Sequence, residues 1–103
     1  MPTVIQTREF KNWVLALRDR RARLKIAQRI ERYKATGALG DVKSVGDRIS
    51  EMRIHLGPGY RIYFTTRGRE IIILLCGSDK SDQVRMIARA KEMAQAIDAG
   101  EGD

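Results

Sequence analysis

One cysteine, Cys76, and one histidine, His55, are all that the sequence holds of the two residue types that build disulfide frameworks and closed zinc sites. A lone cysteine excludes an internal disulfide. One of each falls short of the four nitrogen or sulfur ligands of a structural zinc site. Long apolar runs are missing too. No stretch approaches the ~20 apolar residues that a membrane span needs, and the opening MPTVIQTREF has no signal-peptide core. Repeats, linkers and low-complexity tracts are absent as well. These gaps lead us to expect a single cytoplasmic domain over residues 1–103, with no metal, no cofactor and no membrane partner. A 43% hydrophobic composition argues against a disordered chain. A chain of this size buries roughly 60–70% of its unfolded surface, enough for one modest core.

Negative charge is also short, and the shortage is local. The chain carries 20 Lys and Arg against 13 Asp and Glu, a net charge of +7. Residues 8–34 hold ten basic side chains and only three acidic ones, Glu9, Asp19 and Glu31. Residues 35–103 hold ten of each, so the whole excess lies in the first third. Arg outnumbers Lys 14 to 6, which suits bidentate contacts to phosphate. This pattern points to nucleic acid, ribosome or an acidic partner; a plain solvated helix surface is the alternative.

The hydrophobic spacing sets out the elements. Residues 3–7 read as a short strand. Phe10, Trp13, Val14 and Leu17 recur at i, i+3, i+4 and i+7, one face of a helix whose N-cap is Thr7. Asp19 and Arg20 mark a break. A second helix over about Arg21–Thr36 buries Ala22, Ile26, Ile30 and Tyr33, and Gly37 stops it. Residues 37–48 have three glycines and no period, and read as a loop. The period then becomes two: Met52, Ile54 and Leu56 alternate with Glu51, Arg53 and His55, and Tyr60, Ile62 and Phe64 with Arg61, Tyr63 and Thr65. The continuous run Ile71–Cys76 reads as a central strand covered on both sides. Asp79 or Ser81 caps a last helix over 81–98, with Val84, Ile87, Ala88, Ala94 and Ile97 as its apolar stripe, and residues 98–103 form a frayed tail. The expected fold is α+β, of order β-α-α-β-β-β-α: a small antiparallel sheet against an N-terminal helical hairpin and a C-terminal helix.

If Gly57-Pro58-Gly59 joins the two alternating strands directly, Leu56 faces Tyr60, Ile54 faces Ile62 and Met52 faces Phe64 towards the core. On the other face His55 meets Arg61, Arg53 meets Tyr63 and Glu51 meets Thr65, with Cβ atoms ~5 Å apart in each pair. Such a cluster has the parts for RNA cleavage without a metal. A base must take the 2′-hydroxyl proton, cations must hold the charge gathering on phosphorus, and an acid must protonate the leaving 5′-oxygen. Arg53 and Arg61 suit the phosphate, His55 or Glu51 the base, and Tyr63 the acid or a stacking platform. Cys76 and Trp13 read as core packing.

The blocks Gly40-Asp41 with Val42-Lys43, EMRIHLGPGYRIYF, and IIILLCGSDKSDQ, preceded by FKNWVLALRDRRARLKIAQRIERYKATG, resemble the addiction-module killer proteins, HigB-like members of the RelE/ParE toxin superfamily. The resemblance runs over about residues 3–97 and implies a RelE-like fold. It implies a type II toxin that cuts mRNA on the ribosome and so inhibits translation, restrained by a helix-turn-helix, HigA-like antitoxin. It also implies Arg61 as the transition-state arginine, Arg53 as the basic residue on the neighbouring strand, Lys80 as phosphate contact or general acid, and Lys43 as a contact to the RNA backbone. With His55 these make the catalytic candidates Arg53, His55, Arg61 and Lys80. Lys43, Tyr63, Arg20, Arg21, Arg23 and Lys25 are the RNA-binding candidates. No tyrosine or histidine follows Lys80, which leaves open a ParE-like toxin that binds gyrase and cuts nothing, or an inactive RNA-binding module. Asp79 either caps the last helix or orients Lys80; the cap is the favoured role.

Overall fold

The computed structural model describes residues 2–100. Its elements run β1 (Thr3–Gln6), α1 (Arg8–Ala16), α2 (Arg20–Thr36), β2 (Val42–Gly46), β3 (Ile49–Ile54), β4 (Tyr60–Arg67), β5 (Ile71–Ser78), a 3₁₀ turn (Lys80–Asp82) and α3 (Gln83–Asp98). The strands form one sheet in the order β1-β5-β4-β3-β2. The α+β architecture is the expected one, with two differences. The sheet is mixed, because β1 pairs parallel to β5 while the other pairs are antiparallel. The order also gains a strand, becoming β-α-α-β-β-β-β-α.

The extra strand is β2, inside the segment read as a loop. Its periodic signal is faint because it is an edge strand with three consecutive exposed residues. It turns into β3 through Asp47 and Arg48, both left-handed at φ 52° and 62°. Two left-handed central residues give a tight turn whose twist matches that of the flanking strands. An Asp-Arg pair there lacks the Asn-Gly signature that would announce it.

The two faces of the sheet are covered separately. On one face α1 and α2 pack Phe10, Ala22, Ile26, Ile30 and Tyr33 against Met52, Ile54, Tyr60, Ile62, Phe64, Ile72 and Leu74. Thr7 is the N-cap that the sequence implies, its Oγ1 accepting from Phe10 N at 3.0 Å; Asp19, read only as part of the break between the helices, also caps α2, its Oδ1 accepting from Arg21 N at 2.9 Å. Gly37, at φ 76°, ends α2 in a conformation that costs other residues more. Trp13 is half-buried against the same core, edge-on to Tyr60. Its ring lies flat against β5, so a Cβ added to Gly77 would come within 2.3 Å of it.

On the other face α3 lays Met86, Ala90, Met93 and Ala94 over Ile49, Tyr63, Ile73, Leu75 and Cys76. The expected stripe of α3 is therefore rotated. Ile87, Ala94 and Ile97 face the sheet, but Val84 is 84% exposed and Ala88 is also exposed, and the methionines fill the space. β5 is central and buried from Ile72 to Ser78, so its unbroken apolar run feeds both cores. Of the tail, Asp98 is not frayed: it ends α3 and pairs with Arg67 at 2.9 Å. Residues 101–103 lie outside the described residues. Among the described residues no helix is long and apolar enough to cross a membrane.

Candidate functional site

The β3–β4 hairpin differs from the expected register by two residues. The chain leaves β3 after Ile54 and turns through five residues, with Leu56 N donating to Ile54 O and Gly59 N to Leu56 O, each at 3.0 Å. Arg53 therefore pairs with Arg61, Glu51 with Tyr63, Met52 with Ile62 and Ile54 with Tyr60. A slip of two preserves every face, because strand side chains repeat with period two. The apolar half of the reading survives, while His55 leaves the strand for the turn.

The polar half divides along α3. Glu51 and Tyr63 lie beneath the helix, at 1% and 0% exposure. Tyr63 is thus corrected from a stacking or proton-donating surface residue to a core residue. Its hydroxyl is bonded to Ser78 Oγ at 2.9 Å, and burial pushes its pKa up to about 12. The next row, Arg53 and Arg61, lies where α3 has not yet begun. It forms one wall of an open groove of about 450 Å³. Arg53, His55, Arg61 and Lys80 all line this groove, with the Gly57-Pro58-Gly59 turn as its floor and rim. The four catalytic candidates are brought together.

Each arginine has a carboxylate. Arg53 donates from Nη2 to Asp41 Oδ1 at 2.8 Å, and the second oxygen of Asp41 lies 2.5 Å from His55 Nε2. Held first by Arg53 and then by His55, the Asp41 carboxyl is drawn down to about 2. Arg61 is only 14% exposed, with its Nε 3.4 Å from Oε1 of the buried Glu51. That contact is ionic rather than a hydrogen bond, since Nε has no hydrogen-bond partner; Glu51 Oε1 instead accepts from Gln83 Nε2 at 2.8 Å. Arg61 Nη1 donates to Gly59 O at 2.8 Å. Glu51 is thereby committed to Arg61 and Gln83 and does not reach the groove as a free base. Lys80 is exposed at the start of the 3₁₀ turn. Asp79 caps the 3₁₀ turn rather than the last helix: it accepts from Ser81 N at 2.7 Å and completes a reciprocal box with Asp82, while α3 begins at Gln83, two residues later than expected, behind Asp82, whose side chain makes no cap.

The RNA-binding candidates are spread more widely. Lys43 is exposed on the edge strand β2, opposite Glu51, and does not line the groove. Arg20, Arg21 and Lys25 are exposed on the first turns of α2. That end of α2 adjoins the groove, because Asp19 Oδ2 stands 3.8 Å from where a Cβ on Gly57 would be. Arg23 turns inward instead, half-buried, donating from Nη1 to Leu17 O. Cys76 is fully buried, and burial pushes its thiol up to about 12, so it packs and is no nucleophile. Among the described residues no three or more His, Cys, Asp and Glu side chains are grouped to share a metal ion.

Three residues outside the sequence candidates belong to this site. Asp41 grips Arg53 and His55, Gln83 fixes Glu51, and Arg29 ties the Asp41 loop to the sheet. Arg29 donates to Arg53 O at 2.8 Å and to Leu39 O at 2.7 Å. Asp41 and Gln83 stand inside the sequence blocks that carry the family resemblance, which is the signal that marks them. Arg29 has no such signal, being one of many arginines on α2.

Residues 12–98 match the family described as phage derived protein Gp49-like (DUF891). A protein of Haemophilus influenzae, described as uncharacterized, is 45% identical over 91 residues, covering 88% of this chain and 91% of its own length. The chain therefore belongs to the Gp49-like family of toxins from toxin–antitoxin modules, relatives of the RelE/ParE toxins, a membership that implies an antitoxin partner.

Proposed function

We propose that this chain is a HigB-like, ribosome-dependent mRNA endoribonuclease that inhibits translation, restrained by a helix-turn-helix antitoxin of the HigA type. The observation that carries the reading is that Arg53, His55, Arg61 and Lys80 line one open groove. A groove with three cationic side chains and an imidazole suits a phosphodiester, and each group has a task. Arg53 and Arg61 bind the non-bridging oxygens and oppose the charge that builds on phosphorus. His55 is the proton acceptor. Lys80, across the groove from β3, supplies the proton to the leaving oxygen.

None of these groups is a strong base or acid, so cleavage of free RNA is slow. The ribosome supplies what is lacking by fixing the mRNA in place, which can lower a barrier by ~7–11 kcal/mol. The exposed Arg20, Arg21 and Lys25 beside the groove, and Lys43 on the sheet edge, contact ribosomal or messenger phosphates. Their charge equally suits an acidic antitoxin segment.

Induced expression in bacteria tests the reading. The wild-type chain stops growth and cuts translated mRNA, and Arg61→Ala, expressed at the same level, does neither. Arrest that persists in Arg61→Ala, with inhibited supercoiling by gyrase and intact mRNA, would establish the ParE-like alternative.

A further inference from the structure

His55 is the chain's only imidazole, and its side chain is 74% exposed. An exposed histidine on a turn ordinarily rotates freely and exchanges its ring proton between the two nitrogens. This one is held. Asp41 Oδ2 lies 2.5 Å from Nε2, while Oδ1 takes the Arg53 guanidinium at 2.8 Å. The carboxylate is itself fixed from behind. Arg53 N donates to Asp41 O at 2.9 Å, and Arg29 clamps the neighbouring carbonyls of Leu39 and Arg53. Asp41 is ionised at any pH above its depressed range, so both of its oxygens are acceptors only. The hydrogen between the two groups therefore belongs to Nε2. In the neutral ring that leaves Nδ1 as the single acceptor.

We propose that Asp41 is a positioning residue that holds His55 in its Nε2–H tautomer, so that Nδ1 is the atom that takes the proton from a ribose 2′-hydroxyl in the groove. This rests on the nuclease reading above. In the step, Nδ1 accepts the 2′-hydroxyl proton as the 2′-oxygen bonds to phosphorus. The bond from phosphorus to the 5′-oxygen breaks, and Lys80 gives its proton to that oxygen. The products are a 2′,3′-cyclic phosphate and a 5′-hydroxyl, with a neutral Lys80 and a cationic His55 that exchange protons with water to reset. The cationic ring then donates from Nε2 to Asp41, whose charge stabilises it. Arg53 joins the same carboxylate, so Asp41 ties the orientation of the base to that of a phosphate-binding arginine.

Because there is one histidine, selective ¹⁵N labelling gives one pair of ring nitrogens to follow. In the wild-type chain at a pH where the ring is neutral, we expect a protonated Nε2 with a downfield, hydrogen-bonded proton and an unprotonated Nδ1. In Asp41→Asn that hydrogen-bonded proton signal is lost. Single-turnover cleavage of ribosome-bound mRNA by Asp41→Asn then falls ~10²-fold or more in kcat, with KM held, the size expected for losing an oriented general base. A protonated Nδ1 in the neutral wild-type ring, or an Asp41→Asn spectrum like the wild type, overturns the tautomer assignment. A lost proton signal with unchanged kcat overturns its role in cleavage. The wild-type spectrum alone decides the tautomer, so a variant that fails to fold does not stop the test. Wild-type chain that leaves ribosome-bound mRNA intact instead refutes the nuclease reading, and with it the proton transfer, while the spectrum still reports whether Asp41 holds the ring.

Discussion

Arg53 and Arg61 stand directly opposite each other on β3 and β4, on the same face of the sheet. Like charges in that position repel at close range, an arrangement that lowers stability. The sheet keeps it by giving each guanidinium its own carboxylate, Asp41 for Arg53 and Glu51 for Arg61. The two supports differ. Asp41 is open to solvent and held by a loop, whereas Glu51 is buried under α3. Violations of a local rule concentrate at functional sites, and here the repulsive pair forms the wall of the groove.

Glu51 should matter first for stability. Replacing it with Ala leaves the nearly buried Arg61 without its counter-charge and Gln83 without its acceptor. Breaking a buried ion pair from one side costs ~3–5 kcal/mol. Urea unfolding of Glu51→Ala should show a loss of that order. Glu51→Gln keeps an acceptor for Gln83 but not the counter-charge of Arg61, and should lose nearly as much. A clearly smaller loss in Glu51→Gln would mean that the hydrogen bond, not charge, dominates.

Asp41 should shape the acid limb of stability. Its folded value of about 2 lies below the ordinary 3.8, so the unfolded chain binds this proton first as pH falls. The stabilisation from the Arg53 and His55 contacts is complete above about pH 4 and is lost as pH falls through about 2. Asp41→Asn removes this contribution, so its unfolding free energy should fall less steeply than the wild type's across that window. Identical acid limbs would contradict the pairing.

How much of this was legible beforehand varies with the kind of signal. Helix α2 was, because Ala22, Ile26, Ile30 and Tyr33 all lie on its buried stripe. So was β5, whose unbroken apolar run matches burial on both faces. Strand β2 was not, because an edge strand buries little and its turn uses Asp47 and Arg48 rather than Asn and Gly. The stripe of α3 was misplaced because alanines and methionines, not Val84, fill the gap over Tyr63. The hairpin register was missed by two, since Leu56 continues the alternation beyond the point where the backbone turns. The groove survived that error: a two-residue slip keeps Arg53 and Arg61 on one face. Tyr63 did not, because periodicity assigns a residue to a face and says nothing of which helix covers that face. Asp41 was invisible as a ligand of His55, 14 positions away, because only the loop's path brings them together.

Gly77 should tolerate no side chain. A Cβ there would come within 2.3 Å of the Trp13 ring, and overpacking of a core typically costs ~1–3 kcal/mol. Gly77→Ala should be destabilised by about that much in urea. In a Trp13→Leu background the same change should cost less, a coupling that a double-mutant cycle reads directly.

Cys76 should be inert in the folded chain. The thiol is fully buried and held near a pKa of about 12, so little thiolate exists at neutral pH. Iodoacetamide should label it far more slowly in buffer than in denaturing urea. Equal rates would mean that the α3 face opens readily.

The central claim is that the Arg53–Arg61 groove cuts mRNA only where a ribosome presents it. Mapping 5′ ends on one message with and without translation, using wild type and Arg61→Ala, tests this most directly. Cuts should fall in phase with the reading frame, carry 5′-hydroxyl ends, and appear only with wild type and only on translated message. Out-of-phase cuts on free RNA, or wild-type growth arrest with every message intact, would contradict it.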